Sequence, residues 1–398
     1  MREFAKFSAW LFVGTSALAL AGCGGGNGSM PASTSGSSTG ASAPTASAAF
    51  VAKVLDSNDS NIGGTQDKNL SHGWGIAFLQ GAEVWVANHA SNTSTLYDGN
   101  GVVDPLVVNI PNNAAGKPAG PTGIVANATS GFAVTENGKT GVATFLFAGT
   151  GGTISGWSQG VDPTNAVPVI DGSANGDSYT GLAIYSQGSA NMLMAANFAK
   201  GSVDVFDSSF KKITLPGGFT DPNLPANYKP FGIQTIGTNI YVTYAQFTNG
   251  PFEDHGAGLG LVDVYDSTGT LVKRLVNTGG ALNAPWGVAL APASFGAFSN
   301  DLLVGDFGDG KINVYNPNTG AFIGTVSDAN NNPIVIPGLW GMAFGNDAFG
   351  QPSTTLFYAA GPTATTGVYG RLDLAGAAPA PTPTPTPTPT ATPPVGGY

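Results

Sequence analysis

The chain of 398 residues has one cysteine, Cys23. No disulfide can form within it, so an oxidising compartment would add nothing to its stability. Cations are scarce as well: 14 Lys and Arg stand against 24 Asp and Glu, for a net charge of −10. They form no cluster, which excludes a nucleic-acid partner, because phosphate recognition needs grouped Lys or Arg. Helix-forming residues are sparse and the glycines have no triplet period, which removes helical bundles, coiled coils and collagen. The apolar stretch Ala9–Ala21, 13 residues long, is too short to span a bilayer. There are only three histidines, His72, His89 and His255, and no His-Glu-x-x-His motif, so no zincin site is encoded. What the chain does have is 59 glycines, 28 prolines and 42% hydrophobic residues in short runs broken by Gly, Asn, Asp and Pro. Many short strands joined by tight turns have this composition.

The two ends differ from the middle. Arg2 and Lys6 precede the apolar stretch, which closes on Leu20-Ala21-Gly22-Cys23. This arrangement resembles a bacterial lipoprotein signal peptide, with residues 1–22 removed and Cys23 lipidated. The resemblance implies export and anchoring of a monomer to a membrane of the cell envelope. Gly24 after the cysteine implies the outer membrane where there is one. Residues 23–48 are almost all Gly, Ser, Ala, Thr and Pro and read as a disordered linker. Residues 375–398 form a Pro-Thr-rich tail, with Pro379–Pro394 expected as a polyproline rod.

Between these ends, in 49–374, the chain repeats. A short run with a central glycine recurs six times, at Trp74–Phe78, Thr122–Ala126, Thr180–Ile184, Phe231–Thr235, Trp286–Leu290 and Trp340–Phe344, about 53 residues apart. Each is followed by a second run of strand character, and several by a third, as in Ser202–Asp207, Leu261–Asp266 and Lys311–Asn316. Their alternation has period two, so each is a strand with a buried face. Six such units predict an all-β, six-bladed β-propeller. The last unit lacks a fourth strand, and the orphan run Phe50–Leu55 is expected to supply it and close the ring. Trp74, Thr180 and Trp286 are 106 residues apart, and Thr122, Phe231 and Trp340 are 109 apart, so blades alternate in type.

The phrases Gly73-Trp-Gly75, Ala284-Pro-Trp-Gly287, Gly338-Leu-Trp-Gly341 and Gly305-Asp-Phe-Gly-Asp-Gly310 resemble an uncharacterised family of exported bacterial propellers related to NHL-repeat proteins. That family has Asn-Pro before the first Trp-Gly, where this chain has His72-Gly73, and an asparagine where Asp306 stands. The resemblance implies the propeller but no established reaction.

In a propeller the residues that begin each inner strand lie near the channel mouth. Trp74, Tyr179, Phe231, Trp286 and Trp340 are therefore candidate ligand-binding residues, with Asn88, Asn197 and Asp306, 109 residues apart, around the same mouth. Rings that stack and polar groups that orient suit a small polar ligand. The competing reading is that these residues recur because each blade needs the same packing. Oxygen ligands converging on an axis also suit Ca²⁺, which would make Asn88, Asn197 and Asp306 a metal set. Gluconolactonase-type propellers are similar in holding a divalent ion this way. Two functions follow as expectations: a tethered binding or scaffold module for an envelope partner or small polar ligand, or a metal-dependent hydrolase or lactonase. His72 and His89 could act as an acid–base pair near the mouth. The Asp56–Asp67 stretch starts like a calcium loop, but Asn61 occupies the glycine position, and a polar turn is expected.

Overall fold

The structure, a computed structural model, describes residues 49–376 apart from 188, 189 and 251. The expected signal peptide, Cys23, its linker and the tail from residue 377 lie outside the described residues.

Six sheets follow one another around an axis. Their inner strands are Gly73–Phe78, Pro121–Ala126, Tyr179–Gln187, Tyr228–Ile236, Pro285–Leu290 and Leu339–Phe344. These define blades 1 to 6, and each inner strand packs against the next until blade 6 meets blade 1. Every blade is antiparallel and runs outward in chain order, except that blade 6 takes its fourth strand from Phe50–Ser57, against which Thr65–Gln66 adds a parallel edge. Phe50–Ser57 pairs antiparallel with Val368–Leu374, from Phe50 opposite Leu374 to Ser57 opposite Val368. The expected closure is therefore present, and Phe50 reaches on to stack against Phe298 of blade 5. The Asp56–Asp67 stretch forms a turn, with Asp59 Oδ1 accepting from the Asn61 amide at 2.9 Å.

The recurring central glycine has a steric cause. A Cβ on Gly75 would collide with the carbonyl of Thr122 in the next blade, one on Gly123 with the backbone of Leu182, and one on Gly232 with the carbonyl of Trp286. Gly287 faces Trp340, Gly341 faces Trp74, and Gly181 stands 3.2 Å from the Phe231 carbonyl by the same measure. Six blades can converge on a narrow axis only where their inner strands touch backbone to backbone.

Residues on either side of each glycine face the axis, because side chains alternate along a strand. They form three layers. Trp74, Thr122, Thr180, Phe231, Trp286 and Trp340 make the first. Ile76, Ile124, Leu182, Ile233, Val288 and Met342 make the second, which fills the middle of the axis except for a void of about 20 Å³. The third begins with Phe78, Ala126, Ile184, Thr235 and Phe344, around a cavity of about 470 Å³ that opens at the far end.

Candidate functional site

The first layer closes the other end of the axis. Trp340 is sandwiched between Trp74, with ring centroids 3.6 Å apart, and Phe307, at 3.8 Å. Trp286 meets both tryptophans edge-on at 6.1 and 6.5 Å, and Phe231 leans on Trp340 at 5.6 Å. Trp340 is 2% exposed. Four of the five aromatic candidates thus come together, but they stack on one another and form a plug. Neither face of Trp340 is open to a ligand, contrary to the expectation of free stacking surfaces. The indole N–H of Trp286 donates to the Thr180 carbonyl at 2.8 Å, whereas those of Trp74 and Trp340 are buried without a partner among the described residues. Thr122 and Thr180 donate to carbonyls of the following blade, at 2.9 Å to Tyr179 and 2.7 Å to Phe231.

Tyr179 does not join the plug. It stands one residue before the first-layer position, which Thr180 occupies, so its side chain turns to the opposite face of the strand. There it is buried between blades 2 and 3, with its hydroxyl donating to Asp204 at 3.2 Å.

Asn88, Asn197 and Asp306 also turn into their own blades. Each pairs with the residue seven positions on: Asn88 donates to Thr95 at 2.8 Å, Asn197 to Asp204 at 3.1 Å, and Asn313 donates to Asp306 at 2.7 Å. Blades 2, 4 and 6 have Gly149, Tyr244 and Ala360 at the corresponding register, so the 109-residue spacing reflects a rung used in alternate blades. The fit to a calcium ion is poor. The three side chains lie in three separate blades and only one of them is a carboxylate, although Oδ1 of Asn88 and Oδ1 of Asp306 are buried with no hydrogen-bond partner among the described residues; burial pushes the Asp306 carboxyl well above the usual carboxylate range. Among the described residues no group of three or more His, Cys, Asp or Glu could hold a metal ion.

The histidines, scattered in sequence, gather on the plug. His72 lies 5.7 Å from Trp74 and 6.3 Å from Trp340, His89 lies 5.2 Å from Trp74, and the two imidazoles are 5.3 Å apart. His255 meets Phe307 edge-on at 5.4 Å. A continuous aromatic chain therefore joins all three. His72 Nδ1 lies 2.6 Å from the Thr363 carbonyl, which can only accept, so Nδ1 carries the proton and Nε2 holds a lone pair. Burial lowers the His72 pKa, and burial followed by the neighbouring His72 lowers that of His89 to about 4. Both rings are neutral at physiological pH and can accept a hydrogen bond or a proton.

His72 is also strained. Its φ is 54°; at the same position blades 2 and 6 have Gly120 and Gly338, with φ of 57° and 69°, and blade 5 has Ala284, with φ of 47°. The left-handed region costs a non-glycine residue about 1–2 kcal/mol. Sequence reading passed over this signal, which aligning the repeats would have exposed as a histidine at a position where other blades have glycine.

A Gly-x-Ser-x-Gly spacing does occur, at Gly156-Trp-Ser-Gln-Gly160. It begins within the third strand of blade 2 and no helix follows it, so it lacks the strand-turn-helix setting of a nucleophile elbow. A second such spacing, at 36–40, lies outside the described residues.

Architecture and site together define the class, a six-bladed β-propeller with an aromatic plug in its axis and histidines over the plug. No family model matches the sequence. Two uncharacterized proteins of Acanthamoeba polyphaga mimivirus are similar to it. One is 33% identical over 299 residues, covering 73% of this chain and 72% of the relative. The other is 31% identical over 337 residues, covering 82% and 86%. The chain belongs to the family that these viral proteins represent, and the bacterial family expected from sequence phrases finds no support among them. Among solved structures it is similar to virginiamycin B lyase from Staphylococcus aureus, at 15% identity over 82% of this chain and 99% of that one, with a TM-score of 0.46. A streptogramin B lyase structure gives 12% identity, 82% and 98% coverage and a TM-score of 0.47.

Proposed function

We propose that the protein is a binding module whose recognition face is the plugged end of the axis, where His72 and His89 stand over Trp74. The observation that carries this reading is the placement of His72, a left-handed histidine where blades 2 and 6 have glycine and blade 5 has alanine, beside His89 and over Trp74. Backbone strain of this kind clusters at ligand-binding sites. The neutral imidazoles would accept hydrogen bonds from a small polar ligand, and the half-exposed Trp286, Phe307 and Phe198 at the edge of the plug would pack against its carbon skeleton. Binding fits better than hydrolysis because, among the described residues, no group of three or more His, Cys, Asp or Glu could hold a metal ion.

The test is an array of glycans and peptides probed with the purified protein. Saturable binding that His72→Gly and Trp286→Ala each abolish would support the assignment, and binding unchanged in both would overturn it. The same reading has the module exported and held to an envelope membrane by a lipid on Cys23. Cys23→Ser should then release the protein from the membrane fraction, and continued retention would count against lipidation.

A further inference from the structure

The opposite end of the axis opens into a cavity. Below the apolar second layer the inner strands diverge into the cavity of about 470 Å³, within the range of small-molecule sites. Its wall carries Phe78, Ala126, Ile184 and Phe344, each half-buried and facing the cavity. No lining residue is charged. An ion entering would lose hydration and meet no opposite charge among the described residues, so the cavity favours neutral molecules.

One lining residue breaks the pattern. Three positions into the recurring motif, blades 1, 3, 5 and 6 have Ala77, Ala183, Ala289 and Ala343, whereas blade 4 has Gln234. Its side chain is exposed and borders both the void beneath Trp286 and the open cavity. It donates one long hydrogen bond, 3.4 Å, to the carbonyl of its neighbour Thr235. An amide offers two donors and an acceptor. Set where four other blades have a methyl group, it adds an amide to a wall that also carries the hydroxyls of Ser186 and Thr235 beside its apolar side chains.

We infer that this cavity binds a neutral amphipathic small molecule, its apolar body against Phe78, Ile184 and Phe344 and its hydrogen-bonding end on Gln234. The site shares no residue with the histidine face, so either assignment can fail without the other.

The probe is N-phenyl-1-naphthylamine, a neutral diarylamine of three aromatic rings with one N–H donor, whose fluorescence rises in apolar surroundings. The purified protein should bind it saturably, at one equivalent. Gln234→Ala, which installs the residue used by four other blades, should weaken binding about five-fold, the worth of one neutral hydrogen bond. Ala126→Trp should narrow the cavity and weaken binding, with a thermal melt confirming that the variant folds. His72→Gly should bind the probe as the natural protein does. Absence of saturable binding, or binding that Gln234→Ala leaves unchanged, would overturn the inference. Loss of binding in His72→Gly would place the probe on the other face and overturn it equally.

Discussion

A left-handed backbone conformation is cheap for glycine and costly for histidine, and His72 occupies one. Replacing it with glycine should hold or raise stability by up to about 1 kcal/mol while abolishing ligand recognition. Urea denaturation read beside the binding array checks both halves. A clear destabilisation would mean that His72 serves packing. His89 makes a different prediction. Its pKa is depressed by burial from 6.5 to about 4, so the folded state resists a proton that the unfolded chain accepts. The stability due to its neutral form is complete above about pH 6.5 and is lost as the pH falls toward 4. Melting temperatures of the natural protein and His89→Gln across this window should diverge from their pH 7 difference, with the natural protein losing more. Parallel curves would refute the assignment. The approach of His72 and His89 to the mouth was legible in the sequence, because both belong to blade 1, whereas His255 belongs to blade 4 and only the ring brings it onto the same stack. Tyr179 was misplaced for a simpler reason: a shift of one residue along a strand reverses the face.

Inner strands were the most legible elements, since an alternating run with a central glycine, repeated six times, specifies both strand and spacing. The reason for the glycine was not. As a letter it reads as a turn or a flexible point, whereas here it lies mid-strand, pressed on its neighbour's backbone. The spacing of Asn88, Asn197 and Asp306 was equally ambiguous, because a repeated polar residue marks a shared ligand or a shared internal partner with the same period. The partners seven residues on, Thr95, Asp204 and Asn313, are on the page only once the blade is folded. Gly232→Ala tests the close-approach account. Its Cβ would meet the Trp286 carbonyl, which cannot rotate away as a side chain could. Overpacking of this kind costs about 1–3 kcal/mol. Gly160→Ala, where an added Cβ meets nothing within 4 Å, should be close to neutral in the same denaturation experiment. Equal effects at the two positions would remove the steric explanation for the motif.

Ring closure brings residues from the two ends of the propeller sequence into one sheet, and it carries a buried acid. Asp56 lies at the bulge where Phe50–Ser57 pairs with Val368–Leu374. Both its carboxylate oxygens are buried with no hydrogen-bond partner among the described residues. Burial, with Asp67 and then Asp98 adding repulsion, pushes its pKa up to about 8. The folded ring therefore holds Asp56 protonated over a range in which the unfolded chain ionises it. The stability linked to this proton is complete below about pH 4 and declines as the pH rises toward 8, above which it changes no further. Asp56→Asn keeps the shape without the charge. It should match the natural protein in melting temperature near pH 4 and exceed it increasingly up to pH 8. Because the acid sits in the closing strand, amide exchange across Phe50–Ser57 should slow in the variant at pH 8, while strands of blade 3, half the ring away, change less. A ring whose closure is limited by this proton must show that local difference. If the melting curves of the two proteins instead run parallel from pH 4 to 8, Asp56 is compensated in the fold and the closure is not pH-dependent through it.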